Sequence, residues 1–430
     1  MTTPGLSKKP SGDSELEART AFSGDTVAAA TLGQYWQGYR NKIRSGDIGS
    51  LPAILGFLVL VIVFSVLRPS TFPTALNFAN LLTQAGAICV LAMGVGFVLL
   101  LGHIDLAAGV TGGVGAGTMA MLMLKAGLPW YLAVLIALVV GIAMGLVTGF
   151  LVTKVGIPSF VVTLAFFLAW QGVLLWIIGE GGTVPINEPV IVAIANKNVP
   201  VIAGWIIVIL SIAVYAGISL AVWNGRRAKK LVNPPLPVVV LRIAVIALLL
   251  VLATWLLSVN RAVRPPTVLA GIPWVAPLVA VLLVIWTFVQ NRTAFGRYVY
   301  AVGGNAEAAR RAGIRVAFIT ISCFVIASGM AVLSGIIAAS RLNSVTPDAG
   351  AGNTLLYAVA AAVIGGTSLF GGKGKARDAI IGGLVIAVID NGLRLLGSDA
   401  KINYILTGVV LLLAASVDAL TRRRRASAGR

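Results

Sequence analysis

The sequence predicts an all-α fold, a polytopic transmembrane bundle of ten to twelve spans with both termini in the cytoplasm. Three observations carry that prediction. Apolar residues make up 58% of the 430 and charged residues only 11%. The apolar residues are gathered into stretches of roughly 17 to 25, the length at which a helix crosses a bilayer. The Lys and Arg residues sit at the ends of those stretches, so the formal net charge of +19 reads as topology rather than as a nucleic-acid surface, for which an aromatic-interleaved basic face would be needed.

Residues 1–50 are rich in Ser, Gly, Thr and Lys. They predict a cytoplasmic tail with no cleaved leader, whose last part, with Tyr35, Trp36, Tyr39 and Arg40, suits an interfacial helix. The long apolar region follows over 51–420. Its stretches lie near 51–67, 78–101, 105–124, 129–153, 158–178, 200–222, 237–258, 273–289, 316–339, 354–370, 377–396 and 402–420. Two of them are expected to be unusual. The glycines of 105–124 suggest a broken or re-entrant helix, and 354–370 is short enough for a half-helix. The end, 421–430, is a basic cytoplasmic tail.

Cationic residues concentrate on the cytoplasmic side of spanning helices. With the N-terminus inside, 25 of the 33 Lys and Arg fall on that side and 8 on the other. This orientation places residues 296–315, GRYVYAVGGNAEAARRAGIR, in the cytoplasm. A polar interval so long between apolar spans faces a soluble partner. Glu307, Ala308 and Ala309, followed by Arg310, Arg311 and Gly313, fit a short helix that a glycine terminates.

Glycines recur every four residues at 109, 113 and 117 and again at 141, 145 and 149. Such faces let helix backbones approach closely, so packing is their expected role. A faint internal repeat relates GHIDLAAG, with Gly102, Asp105 and Gly109, to GGTSLFGG, with Gly365, Gly366, Gly371 and Gly372. Cys89 and Cys323 both fall inside apolar runs, which disfavours a disulfide or a metal site.

Together these stretches resemble the ribose/xylose-type monosaccharide ABC importer permeases. GHIDLAAG resembles the family's GGIDLSVG element, and AVGGNAEAARRAGI resembles its EAA-x3-G coupling segment. IGGTSLFGGKG followed by DNGLRLLG resembles its C-terminal signature. The long insert at 223–272 and the run NRTAFGRYVYAVGGN are similar to the D-xylose branch in particular. His103 and Ala107-Ala108 depart from the family pattern. The resemblance implies a coupling helix seated on a separate cytoplasmic ATP-binding subunit, an extracytoplasmic sugar-binding protein, a second permease copy as a homodimer, and no catalysis in this chain. No phosphate-binding G-x4-G-K-[ST] occurs in the sequence, so ATP belongs to the partner. No cofactor, metal or catalytic residue is expected here.

The expected translocation-path residues are Asp390 and Asn391, Gln171 and Trp170, and Asn353 and Tyr357. A charge at membrane depth costs about 2.5–3.5 kcal/mol, and a neutral sugar is held by amides, hydroxyls and aromatic faces. Asp105 reads as a helix N-cap, and His103 as a solvated residue at a loop edge. The segments 185–199 and 341–353 are candidate docking surfaces on the outer side. Two alternatives stay open at this point. One is an importer permease for ribose, galactose, a nucleoside or a branched-chain amino acid; the other is an ion-coupled secondary carrier, for which Asp390 is the strongest buried carboxylate.

Overall fold

The computed structural model describes residues 50–397 except 180–181, 230, 232 and 263–266, together with isolated positions at 33–40 and 401–412. The expected interfacial helix, the last apolar stretch 402–420 and the two tails therefore lie outside the continuously described residues. What is described is helical, with four two-residue strands. Eleven of the twelve apolar stretches correspond to helices.

Contacts divide the chain into two units. The larger holds 49–204 and 256–423, and its helices begin with α1 (Leu51–Leu67), α2 (Ala75–Leu100), α3 (Ala108–Lys125), α4 (Trp130–Phe150) and α5 (Ser159–Ile178). A π-helical turn, Leu151–Val155, extends α4 and ends at Gly156. Short elements follow: β1 (Val184–Pro185), α6 (Pro189–Asn196) and β2 (Asn198–Val199). Helix α7 (Val201–Ala228) and helix α8 (Leu236–Ser258) run mainly through the smaller unit. Beyond them come β3 (Ile272–Pro273), α9 (Val275–Arg292), α10 (Ala294–Gly304), α11 (Ala306–Arg311), α12 (Val316–Leu342), β4 (Ser344–Val345), α13 (Thr354–Gly365) and α14 (Ala376–Leu395).

Seven of these helices are long and apolar enough to cross a membrane by length and composition alone: α2, α4 with its π turn, α5, α7, α8, α9 and α12. That is fewer than the ten to twelve expected, and each shortfall has a local reason. Helix α1 has 17 residues, α3 is diluted by glycine, α13 has only 12 residues, and α14 carries Arg377, Asp378, Asp390 and Arg394. The expectation of a broken 105–124 helix is corrected: α3 is continuous over all 18 residues. Its glycines satisfy their backbone hydrogen bonds within the helix and serve packing instead. The short 354–370 element holds a helix of only 12 residues, Thr354–Gly365. Backbone from Gly366 to Lys375 is irregular and is held by bonds such as Ser368 N–H to Lys373 O (2.8 Å) and Gly372 N–H to Leu100 O (2.8 Å).

Helices α2 and α12 form the centre of the larger unit, with α12 packed along α2, α3 and α4 and α14 packed on α2 and α13. The glycine stripes make this possible. On α4, a methyl group added at Gly145 would lie 2.7 Å from the Phe324 carbonyl and one at Gly149 would lie 2.8 Å from the Ile321 backbone, both on α12. On α3, Gly109 and Gly113 receive the carbonyls of Gly350 and Ala349, and Gly117 receives Leu174 of α5. The outward faces of α1, α4, α5 and α9 are apolar and exposed, as surfaces facing lipid must be.

In the smaller unit, α7 and α8 are joined by a turn in which Trp223 Nε1 donates to Pro234 O (3.0 Å) and Asn233 Nδ2 donates to Trp223 O (2.8 Å). Their exposed residues are almost all Ile, Leu and Val.

Candidate functional site

The polar segment 293–315 is built by capping. Thr293 Oγ1 accepts the Gly296 N–H (3.1 Å) and starts α10. Asn305 Oδ1 then accepts the Ala308 N–H (2.9 Å) and starts α11. Asn305 caps the helix, and Glu307 pairs with Arg310 (3.0 Å) and Arg311 (3.3 Å). All three charged side chains are more than half exposed. Gly313 ends the helix with φ +82°, a left-handed conformation that costs a side chain and suits glycine. The Ile314 N–H closes back on Ala309 O (3.0 Å).

One face of this segment is anchored. Ala309 is buried with Val299 and Val302 against Phe97, Leu100, Ile319 and Cys323, while Ala308, Glu307 and Arg310 face outward. Tyr300 Oη donates to Gly374 O (2.6 Å). Burial, reinforced by the nearby Asp378 carboxylate, pushes the Tyr300 phenol up to about 12, so it stays a neutral donor. Gly303 lies so close to the Leu100 carbonyl that a side chain there would overlap it. The two halves of the sequence repeat meet at this junction. Gly371 approaches Gly102 N and Gly303 O, and Gly102 faces the carbonyl of Phe370. Thr293, Tyr300, Gly303 and Asn305 escaped the sequence reading, although Asn305 three residues ahead of Ala308 is an N-cap signal.

Asp105 is almost wholly buried, at 3% exposure, in the turn between α2 and α3. It is not the N-cap of α3, a position Ala107 occupies; its Oδ1 accepts the Ala107 N–H (3.0 Å) from two residues before that cap. Burial pushes its carboxyl up to about 6, opposed by the Ala107 and Ala108 N–H groups. His103 is half-buried rather than solvated. Its Nδ1 lies 3.3 Å from Ser159 Oγ, its ring faces Phe324, and burial lowers its pKa.

Of the path residues expected from sequence, the structure brings three together. Asp390 Oδ2 accepts from Arg394 Nε (3.0 Å), Asn353 Nδ2 lies 3.5 Å from Tyr357 Oη, and Arg394 lies within electrostatic range of Tyr357. Asn391 is one position on, about 100° around α14, and is buried with its Oδ1 unpartnered. Trp170 stacks on Phe166 (4.8 Å) beside the α3–α4 core, and Gln171 follows it on α5. Gly365 packs on the Asp378 backbone, and Gly366, at φ +121°, ends α13.

At the other end of the larger unit, 185–199 and 341–353 are structured and tied together. Strand β1 pairs antiparallel with β4, and β2 with β3. Asn196 Nδ2 donates to Asn343 Oδ1 (3.0 Å).

Residues 77–415 match the family described as branched-chain amino acid transport system / permease component. The chain belongs to that family. It is similar to the xylose transport system permease protein XylH of Escherichia coli (strain K12), with 35% identity over 89% of this chain and 94% of that protein. XylH of Haemophilus influenzae shares 32% identity over 89% and 99%. The ribose import permease protein RbsC of Escherichia coli (strain K12) shares 31% over 85% and 92%. No solved structure matches. The chain is thus a multi-pass plasma-membrane permease and not an enzyme.

Proposed function

We propose that this chain is the membrane subunit of an ATP-binding-cassette importer for a monosaccharide, a pentose such as D-xylose foremost. The observation that carries the reading is the segment from Thr293 to Arg315. It is a charged helix on an apolar anchor, joined directly to α12, the helix packed along α2, α3 and α4. Displacement of α11 by a soluble ATPase would move α12 with it. The xylose and ribose permeases named above support the substrate class. The β1–β4 and β2–β3 end is the surface offered to an extracytoplasmic binding protein, and a second copy of the chain completes the channel.

The test is uptake of radiolabelled xylose in cells carrying this chain with its ATPase and binding protein, each omitted in turn. Uptake that needs all three, and that resists a protonophore, is the expected result. Uptake by the chain alone that collapses with the protonophore would instead make it an ion-coupled carrier.

A further inference from the structure

Around the Asp390–Arg394 pair the helices assemble more polar groups than the sequence singled out. Ser334 Oγ of α12 donates to Ala87 O of α2 (2.7 Å), which fixes the antiparallel register of these helices. Arg341 lies two turns further along the same face of α12, roughly 10 Å away, and its side chain slants back along the helix. Gln84 lies three residues from Ala87 in the same direction. The Gly383–Cys89 contact sets the register of α14 on α2. Seven residues beyond Gly383, on the same face, is Asp390, level with Gln84 to within roughly 3 Å.

The electrostatic neighbourhood agrees with this placement. Arg341 lies within electrostatic range of both Asp390 and Arg394, and Arg394 within range of Tyr357, which Asn353 touches. Asp390 is mostly shielded, at 16% side-chain exposure. Gln84 Oε1 is buried without a hydrogen-bond partner.

We propose that Gln84, Arg341, Asn353, Tyr357, Asp390 and Arg394 form a vestibule that binds the hydroxyls of a neutral polyhydroxylated solute on its way into the permease. The chemistry selects for that class. A carboxylate only accepts and two guanidiniums only donate, while the two amides and the phenol do both; a ring of hydroxyls can satisfy all of them at once. An anionic solute meets Asp390, and a cationic one meets two arginines. The free Gln84 oxygen has an unmet acceptor, whose satisfaction by a solute hydroxyl recovers the cost of its burial.

This inference rests on the importer reading and deepens it. The test uses the full complex with its ATPase and binding protein in proteoliposomes, with xylose as the probe. Arg341→Gln and Gln84→Leu are each expected to lower the maximal uptake rate at least about tenfold, the loss of a hydrogen bond to a charged or buried group, with membrane level and ATPase association retained. Arg341→Cys should lose uptake likewise and regain it when an aminoethyl thiosulfonate reagent restores the cation, but not with a neutral methyl reagent. The two native cysteines are buried, so labelling reports on position 341. Wild-type uptake rates in both Arg341→Gln and Gln84→Leu, or equal rescue by the neutral reagent, would overturn the vestibule while leaving the importer intact. A wild-type complex that imports no monosaccharide would instead overturn the importer reading itself.

Discussion

Asn305 and Glu307 divide the work at α11. Losing a side-chain N-cap costs about 1 kcal/mol of helix stability, a large share for a six-residue helix. Asn305→Ala should therefore destabilise α11 more than breaking either Glu307 pair does, since exposed pairs are worth only about 0.3–0.5 kcal/mol each. Glu307→Ala should weaken capture of the ATPase in a pull-down while leaving the thermal midpoint of the detergent-solubilised chain unchanged. Asp105 gives a pH prediction. Its folded pKa, about 6, lies above the ordinary value of 3.8, so the native state holds the proton more tightly than the unfolded chain does. Stability is then fully present below pH 4 and falls as pH rises towards 6. Thermal midpoints taken across that window should decline in the wild type, and Asp105→Asn should flatten that part of the decline. The reading of Asp105 as a helix cap from sequence erred because spacing alone does not tell a cap from an Asx turn placed two residues earlier.

At the scale of elements, the glycine stripes were legible as packing faces but their partners were not. Gly145 and Gly149 seat α4 on α12, whereas Gly109 and Gly113 admit the 349–350 backbone rather than another helix. Gly145→Leu would thrust a side chain into the Phe324–Val325 backbone. It should abolish folded, monodisperse protein on size exclusion, while Gly127→Ala, whose added methyl would touch nothing within 4 Å, costs only backbone strain at φ +63° and should retain it. Helix α3 was expected to break because glycine is a poor helix former in water. In this bundle the same residues permit close helix contacts that outweigh their roughly 1 kcal/mol propensity deficit.

For the molecule as a whole, the importer reading requires that the purified chain hydrolyse no ATP on its own and that hydrolysis appear with the ATP-binding subunit. Crosslinking of Arg310→Cys to that subunit should be abolished by Ala309→Leu. The larger side chain cannot enter the Phe97–Cys323 cluster without overpacking it, typically at about 1–3 kcal/mol, and α11 would lift from its seat. A retained crosslink would show that α11 docks without its anchor.

The sequence by itself determined the class, the approximate position of the long helices and the polar interval between them that holds α11. Apolar length, cation placement and glycine or N-cap chemistry are local, one-dimensional signals, and a bilayer allows little else. Which helix is central, that the two repeat motifs touch at Gly102 and Gly371, and that Arg341 stands within electrostatic range of Asp390 were decided only by tertiary structure. Those relations depend on rotation about helix axes and on register between segments as many as 300 residues apart. Neither leaves a trace in spacing along the chain.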